Sequence, residues 1–214
     1  MNNYDNNLLD MIEITKVLYN IDMNNGFVNF GPMANPEYNK LVPEQIKMFE
    51  KFLREKGQIN FILEAHNKNA KEFLTYPPHC IKDTPEAEVI KEFKKYQQME
   101  KVRTFGKNSI NGMLNRSVHE QIELLKGLRE IVIEGVCADL CVMDFARTLA
   151  RYLDETDRDA KIFVVRNAID TYDAPWHNRK EWLEIAEKVM KQAGIIYVND
   201  IEELEEKEKQ YKLV

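Results

Sequence analysis

The sequence is poor in cysteine. Three thiols, Cys80, Cys137 and Cys141, occur in 214 residues. An odd, small number in a chain of this length argues against a disulfide framework, so the useful question is whether any thiol is reactive. Long apolar runs are missing too. No stretch approaches the roughly 20 residues of a membrane span. The opening segment, "MNNYDNNLLDMIEITK", is polar and acidic and lacks the basic start and apolar centre of a signal peptide. A cytoplasmic location is the expectation. Positive charge is not in excess either: the formal net charge is -6. That gives no basic surface for nucleic acid, so neither nucleic acid nor membrane is expected as a partner. No internal repeat or low-complexity linker interrupts the chain, which suits one domain over residues 1–214.

What is present is an alternation of strand-like and helix-like segments. "KVLYNID" (Lys16 to Asp22) and "INFILEA" (Ile59 to Ala65) read as buried strands. Between them "PEQIKMFEKFLREK" carries apolar residues at helical spacing, with Gly57 as its stop. "TPEAEVIKEFKKY" reads as a helix capped by Thr84 with Pro85 in the first position. "EKVRTFGKNS" gives a short strand and loop, and "SVHEQIELLKGL" a helix with a capping box from Ser117 to Glu120. "EIVIEGV", "AKIFVV" and "IIYV" are further strands. Helices are expected over Asp139–Leu153 and "RKEWLEIAEKVMKQAG", then a charged helix or frayed end from Glu202 to Lys212. This order predicts an α/β, doubly wound, mostly parallel β-sheet with helices on both faces. Ligands of such sheets sit at the carboxyl ends of the strands. Asp22, the residues after Ala65, the loop after Phe105 and the "GVCADLC" turn therefore share one neighbourhood.

Several residues there could do chemistry. Cys141 falls in the first turn of a helix, where free N–H groups and the dipole favour a thiolate and can hold an oxyanion. Read alone, it is equally a small buried hydrophobe. Asp22 ends a strand and could take the thiol proton, or simply close a turn. Lys107, in "FGKNSING", taken alone is a solvated lysine; beside Asp22 and Cys141 it would favour both ionised forms. Glu64, His66, Glu72 and His79 offer the carboxylate and imidazole donors that suit a divalent zinc, iron or manganese ion. His119 and His177 have weaker cases, and His119 reads as a solvated helix residue. Cys137 and Cys141 do not have the C-x-x-C redox spacing.

With these residues in place, the chain resembles the nicotinamidases of the isochorismatase-like superfamily of cysteine hydrolases. "GVCADLCV" is similar to their G-V-x-T-D-x-C-V nucleophile turn. "NIDMNNGF" resembles the first-strand motif, with Asp22 followed five residues later by the aromatic Phe27. "FGKNSING" stands where the family has its catalytic lysine. "LEAHNKNAKEFLTYPPHC" resembles the metal loop, and "IKDTPEAE" the segment after it. The likeness runs from about Lys16 to Val198 and leaves the first fifteen residues as an extension. Three positions depart from the pattern: Glu64 for the usual aspartate, Ala138 for threonine, and Cys137 for a residue that is commonly alanine.

The resemblance implies the isochorismatase-like hydrolase fold and a nicotinamidase, an activity of NAD salvage. Asp22, Lys107 and Cys141 would be the triad. The backbone N–H groups of Cys137 and Cys141 would hold the oxyanion, with a cis peptide between Val136 and Cys137. Glu64, His66, Glu72 and His79 would bind the metal. Phe27, Tyr76 and Val136 would touch a small-molecule amide, and a homo-oligomer is left open. Two alternatives stand beside this: a sister hydrolase acting on another amide, carbamoyl or ureido substrate, and a non-enzymatic metal or thiol sensor switching through Cys137 and Cys141.

Overall fold

A computed structural model describes residues 14–213, so most of the expected N-terminal extension lies outside the described residues. Six strands form one sheet: β1 (Lys16–Ile21), β2 (Gln58–Glu64), β3 (Val102–Lys107), β4 (Glu130–Val136), β5 (Lys161–Asp170) and β6 (Ile196–Val198). Their spatial order is β3-β2-β1-β4-β5-β6, and every neighbouring pair is parallel. The main helices are α1 (Val42–Arg54), α2 (Arg116–Leu124), α3 (Met143–Glu155), α4 (Arg179–Gln192) and α5 (Ile201–Tyr211).

The pleat sorts the side chains. Val17, Tyr19 and Ile21 of β1 and Ile131 and Ile133 of β4 pack on the face covered by α2, α3 and α4. Leu18 and Val132 face the opposite layer, built from α1, Leu204 of α5 and the Ile90–Tyr96 segment. A sheet buried on both faces explains why β1, β2 and β4 are apolar runs rather than alternations. The doubly wound α/β architecture expected from the sequence is the one observed.

Two local expectations differ. "TPEAEVIKEFKKY" does not form one helix. It breaks into a 3-10 turn at Pro85–Ala87 and a single helical turn at Lys94–Gln97. Tertiary bonds take its backbone instead. Asn24 Nδ2 donates to Ala87 O at 2.8 Å, Asn25 N to Glu88 O at 2.9 Å, and Ile90 N to Met23 O at 3.0 Å. Thr84 donates its hydroxyl to Ile81 O at 2.6 Å rather than capping. For α2, Asn115 is the cap, accepting from Ser117 N at 2.8 Å, and Glu120 pairs with Arg116. Both segments carried sound helix-start chemistry, but tertiary bonds outcompeted it in the first and the local Asn115 cap in the second.

The order places a switch point between β1 and β4, whose crossovers leave in opposite directions. There the strands approach closely. Gly135 has φ +119°, and a Cβ on it would lie 2.0 Å from Ile21 O, so only glycine fits. The β4–β5 register also slips between Ile133 and Gly135. Val136 lies on the same face as Val132, as strand parity gives.

Candidate active site

Four strand ends deliver the polar cluster. Asp22 follows β1, Glu64 ends β2, Lys107 ends β3, and the turn after β4 carries Cys137 to Cys141. Asp22 sits in the left-handed region at φ +53°, a conformation aspartate tolerates better than most residues. Its Oδ1 accepts from Glu64 N at 2.9 Å. That bond ties the ends of β1 and β2 together and fixes the carboxylate.

Lys107 is the hub. Its Nζ lies 2.8 Å from Asp22 Oδ2, 2.8 Å from Glu64 Oε1 and 3.6 Å from Cys141 Sγ. Cys141 Sγ is in turn 3.7 Å from Glu64 Oε1. All four side chains are buried. The nucleophile turn begins with a cis Val136–Cys137 peptide, as the resemblance implied. It continues as one π-helical turn over Ala138–Val142 before α3 starts. Cys137 O accepts from Leu140 N at 3.2 Å and Val142 N at 3.1 Å. Such wide turns recur at functional sites because they re-aim side chains.

Burial raises the Asp22 carboxyl to about 7, with Lys107 opposing the rise and Glu64 adding to it. Burial alone would also raise Glu64, but Lys107 and the two histidines outweigh it and hold Glu64 well below the usual carboxylate range. Lys107 loses by desolvation, yet Asp22, Cys141 and Glu64 together keep it firmly protonated. Cys141 departs from expectation. Burial pushes its thiol well up, Lys107 draws it down, and the Asp22 and Glu64 charges push it up again. The resting group is a thiol beside a carboxyl raised toward neutrality, not a standing thiolate.

Next to this cluster lies a donor set. His66 Nε2 and His79 Nε2 converge on Glu64 Oε2 at 3.0 and 2.8 Å, and Glu72 Oε1 is 3.8 Å from His66 Nε2. One donor atom from each of the four lies within 4.8 Å of all the others. His79 Nδ1 faces Pro77 O at 2.8 Å, which turns the Nε2 lone pair toward the cluster. Two imidazole nitrogens and two carboxylates converging on one point is the chemistry of a divalent cation site, so these residues fit the expected metal.

The cluster floors an open cavity of about 840 Å3. Phe27, Tyr38, Tyr76, Tyr172 and Trp176 line it. The structure thus brings Asp22, Lys107 and Cys141 together, groups Glu64, His66, Glu72 and His79, and puts Phe27 and Tyr76 on the wall. Val136 is different. It is fully buried in the α1-side core and does not line the cavity, because strand parity sets it on the face of Val132.

The sequence reading missed Asp139, Thr171 and Asp170, and gave His177 only a weak case. Asp139 accepts from Thr171 and from His177, and Asp170 holds Arg179 and Lys40. β5 runs to Asp170, whereas the apolar run that marks it stops at Val165. The exposed pair Arg166–Asn167 disguised the rest of the strand. Extending the rule of strand carboxyl ends to β5 would have reached Asp170 and Thr171.

A family model described as the isochorismatase domain matches residues 16–194. The chain belongs to the isochorismatase family. It is a hydrolase of that family, in keeping with a thiol, a carboxylate and a lysine gathered at the carboxyl ends of the strands. It is 28% identical over 175 residues to nicotinamidase 1 of Arabidopsis thaliana, covering 75% of this chain and 71% of that one. The N-carbamoylsarcosine amidase of Thermoplasma acidophilum superposes with a TM-score of 0.70 at 22% identity, over 87% of this chain and 96% of the other. The pyrazinamidase of Pyrococcus horikoshii, solved in complex with zinc, gives 0.69 at 24% identity, over 86% and 98%. Both structures share the fold of this family member. Among the described residues, no helix is long and apolar enough to cross a membrane.

Proposed function

We propose that the chain is a cysteine amidohydrolase that converts nicotinamide to nicotinate and ammonia. The observation that carries this reading is the buried contact of Lys107 Nζ with both Asp22 and Cys141, on the floor of an aromatic-lined cavity. A thiol sensor has no need of that pairing.

Asp22, whose carboxyl titrates at about 7, takes the Cys141 proton as the sulfur attacks the carboxamide carbon. The N–H groups of Cys137 and Cys141 hold the developing oxyanion. Asp22 returns its proton to the departing ammonia, leaving an acyl thioester on Cys141. Water, deprotonated by Asp22, then attacks the thioester and releases the acid. Lys107 stays protonated throughout and limits the cost of each charge change at Asp22 and sulfur. Glu64, His66, Glu72 and His79 would hold a zinc, iron or manganese ion. Such an ion supplies Lewis acidity and a fixed point for a ring nitrogen or a water. Phe27, packed edge-on against His79 at 5.4 Å between ring centroids, and Tyr76 flank a flat ring.

A second reading keeps the same triad but gives it a carbamoyl or ureido substrate. The roomy cavity, which also reaches Arg179, favours it. The test is ammonia release from nicotinamide and from a carbamoyl amino acid, with divalent metal and with chelator. Cys141→Ala abolishes turnover, while Cys137→Ala retains a measurable part of it. Equal, complete loss in both variants would remove the single-nucleophile assignment.

A further inference from the structure

We propose that Asp139 and His177 are positioning residues that lock the nucleophile turn to the aromatic wall of the cavity. The proposal rests on reading the site as an amidohydrolase. Asp139 stands inside the turn, between Cys137 and Cys141, and is 3% exposed. Its neighbour Ala138 is buried and offers no hydroxyl, so the Asp139 carboxylate is the anchor this part of the turn has. Oδ1 accepts from the Thr171 hydroxyl. Oδ2 accepts from His177 Nε2 at 2.9 Å.

His177 is fixed on every side. Its Nδ1 lies 3.0 Å from Tyr172 O. Both partners are acceptors, so each ring nitrogen carries a proton when both bonds form. The ring is stacked between Tyr172, with centroids 3.8 Å apart, and Trp182, 4.9 Å away. Ala174 and His177 exchange backbone bonds at 3.0 and 2.9 Å. Asn178 then caps α4 by accepting from Glu181 N.

The same short segment supplies Tyr172, Asp173, Ala174 and Trp176 to the cavity. One imidazole therefore joins the wall that positions a substrate to the turn that carries the nucleophile. Oxyanion donors act only when aimed at the charge that develops, and a misplacement of about 1 Å can cost on the order of 100-fold in rate. Asp139 and His177 touch no reacting atom; they act through the turn.

The test compares His177→Phe, which keeps the stack and loses both N–H donors, with His177→Gln, which keeps one donor. Turnover is normalised to titrated Cys141. His177→Phe lowers kcat by about 100-fold with KM nearly unchanged, and His177→Gln recovers about a tenth or more of the wild-type rate. Pyridine-3-carbaldehyde adds reversibly to the thiol as a hemithioacetal and so probes the oxyanion donors. Its affinity falls in parallel with kcat, while the affinity for nicotinate holds. A kcat within about threefold of wild type, or equal loss of aldehyde and nicotinate affinity, overturns the proposal. If His177→Phe does not fold, the Gln variant and a 15N-histidine spectrum of the wild-type chain decide. Protons on both His177 nitrogens support the lock, and one bare nitrogen overturns it. Absent amide turnover by wild type would count against the amidohydrolase reading alone, since the spectrum still judges the lock.

Discussion

Replacing Lys107 by methionine removes the ammonium that lies 2.8 Å from both Asp22 and Glu64. The side chain is 2% exposed, so water does not take its place. Stripping one partner from a buried ion pair costs about 3–5 kcal/mol, because the remaining charge is left without compensation. At roughly 2–4 °C per kcal/mol for a chain of this size, the melting temperature falls by something on the order of 6–20 °C. The loss also has a pH signature. In the wild type, Lys107 and the histidines overcome burial and keep the Glu64 carboxyl below its unfolded value. That contributes stability above the unfolded value, which is lost as pH falls through the folded one. Lys107 itself is raised, so its own contribution is intact across the neutral range. In Lys107→Met the buried carboxylates prefer their neutral forms, and the deficit shrinks toward pH about 4 and grows toward pH about 8. Thermal unfolding followed by circular dichroism, with chelator present, measures it across that window. Adding Asp22→Asn to the variant restores part of the loss by deleting one orphaned charge. A deficit that does not vary with pH, or one below about 1 kcal/mol, would show that the lysine is not what holds these carboxylates.

Other perturbations test other joints of the same argument. Gly135→Ala puts a Cβ 2.0 Å from Ile21 O at φ +119°, and it should destabilise by about 2–6 kcal/mol from overpacking and backbone strain together. Wild-type expression and melting temperature for that variant would refute the close approach of β1 and β4. Glu130 is raised to about 8 by burial and by the neighbouring Glu208 carboxyl, against the pull of Lys16. A raised acid stays protonated in the fold while the unfolded chain ionises, so it erodes stability by about 1.4 kcal/mol per pH unit between pH about 5 and 8. Glu130→Gln therefore flattens the pH dependence of unfolding over that range and gains stability at its upper end. Parallel curves for variant and wild type would contradict the raised carboxyl.

The fold and the meeting of Asp22, Lys107 and Cys141 were legible for one physical reason. In an alternating parallel sheet, residues just past different strands meet at one edge however far apart they lie in sequence. Asp22, Lys107 and Cys141 could be grouped before any distance was known, and Glu64 came with them as the end of β2. What could not be read was competition between local and tertiary bonds. The segment after Thr84 has an N-cap residue, a proline and an acid in helix-start order. Nothing in that order announces that Asn24 and Met23 will claim Ala87 O and Ile90 N. Val136 was misread for a different reason. Strand parity already sets it on the buried face of Val132, and the family resemblance, not the pleat, had put it against the substrate.

Glu64 shows a third kind of limit. The longer arm of glutamate at a position where the family uses aspartate pointed to a change in metal geometry or affinity. In the structure that arm reaches both ways: Oε2 faces His66 and His79, and Oε1 faces Lys107 and Cys141. A single carboxylate therefore joins the donor set to the triad. A cation held by that set would take Oε2 together with the two histidines, while Oε1 stays with the lysine that contacts Asp22. Shortening the arm separates these two contacts, since one methylene spans about 1.5 Å, half the length of either hydrogen bond. On this geometry the departure from the family pattern is where a carboxylate of the donor set meets Lys107 and Cys141, and no spacing in the sequence records that link.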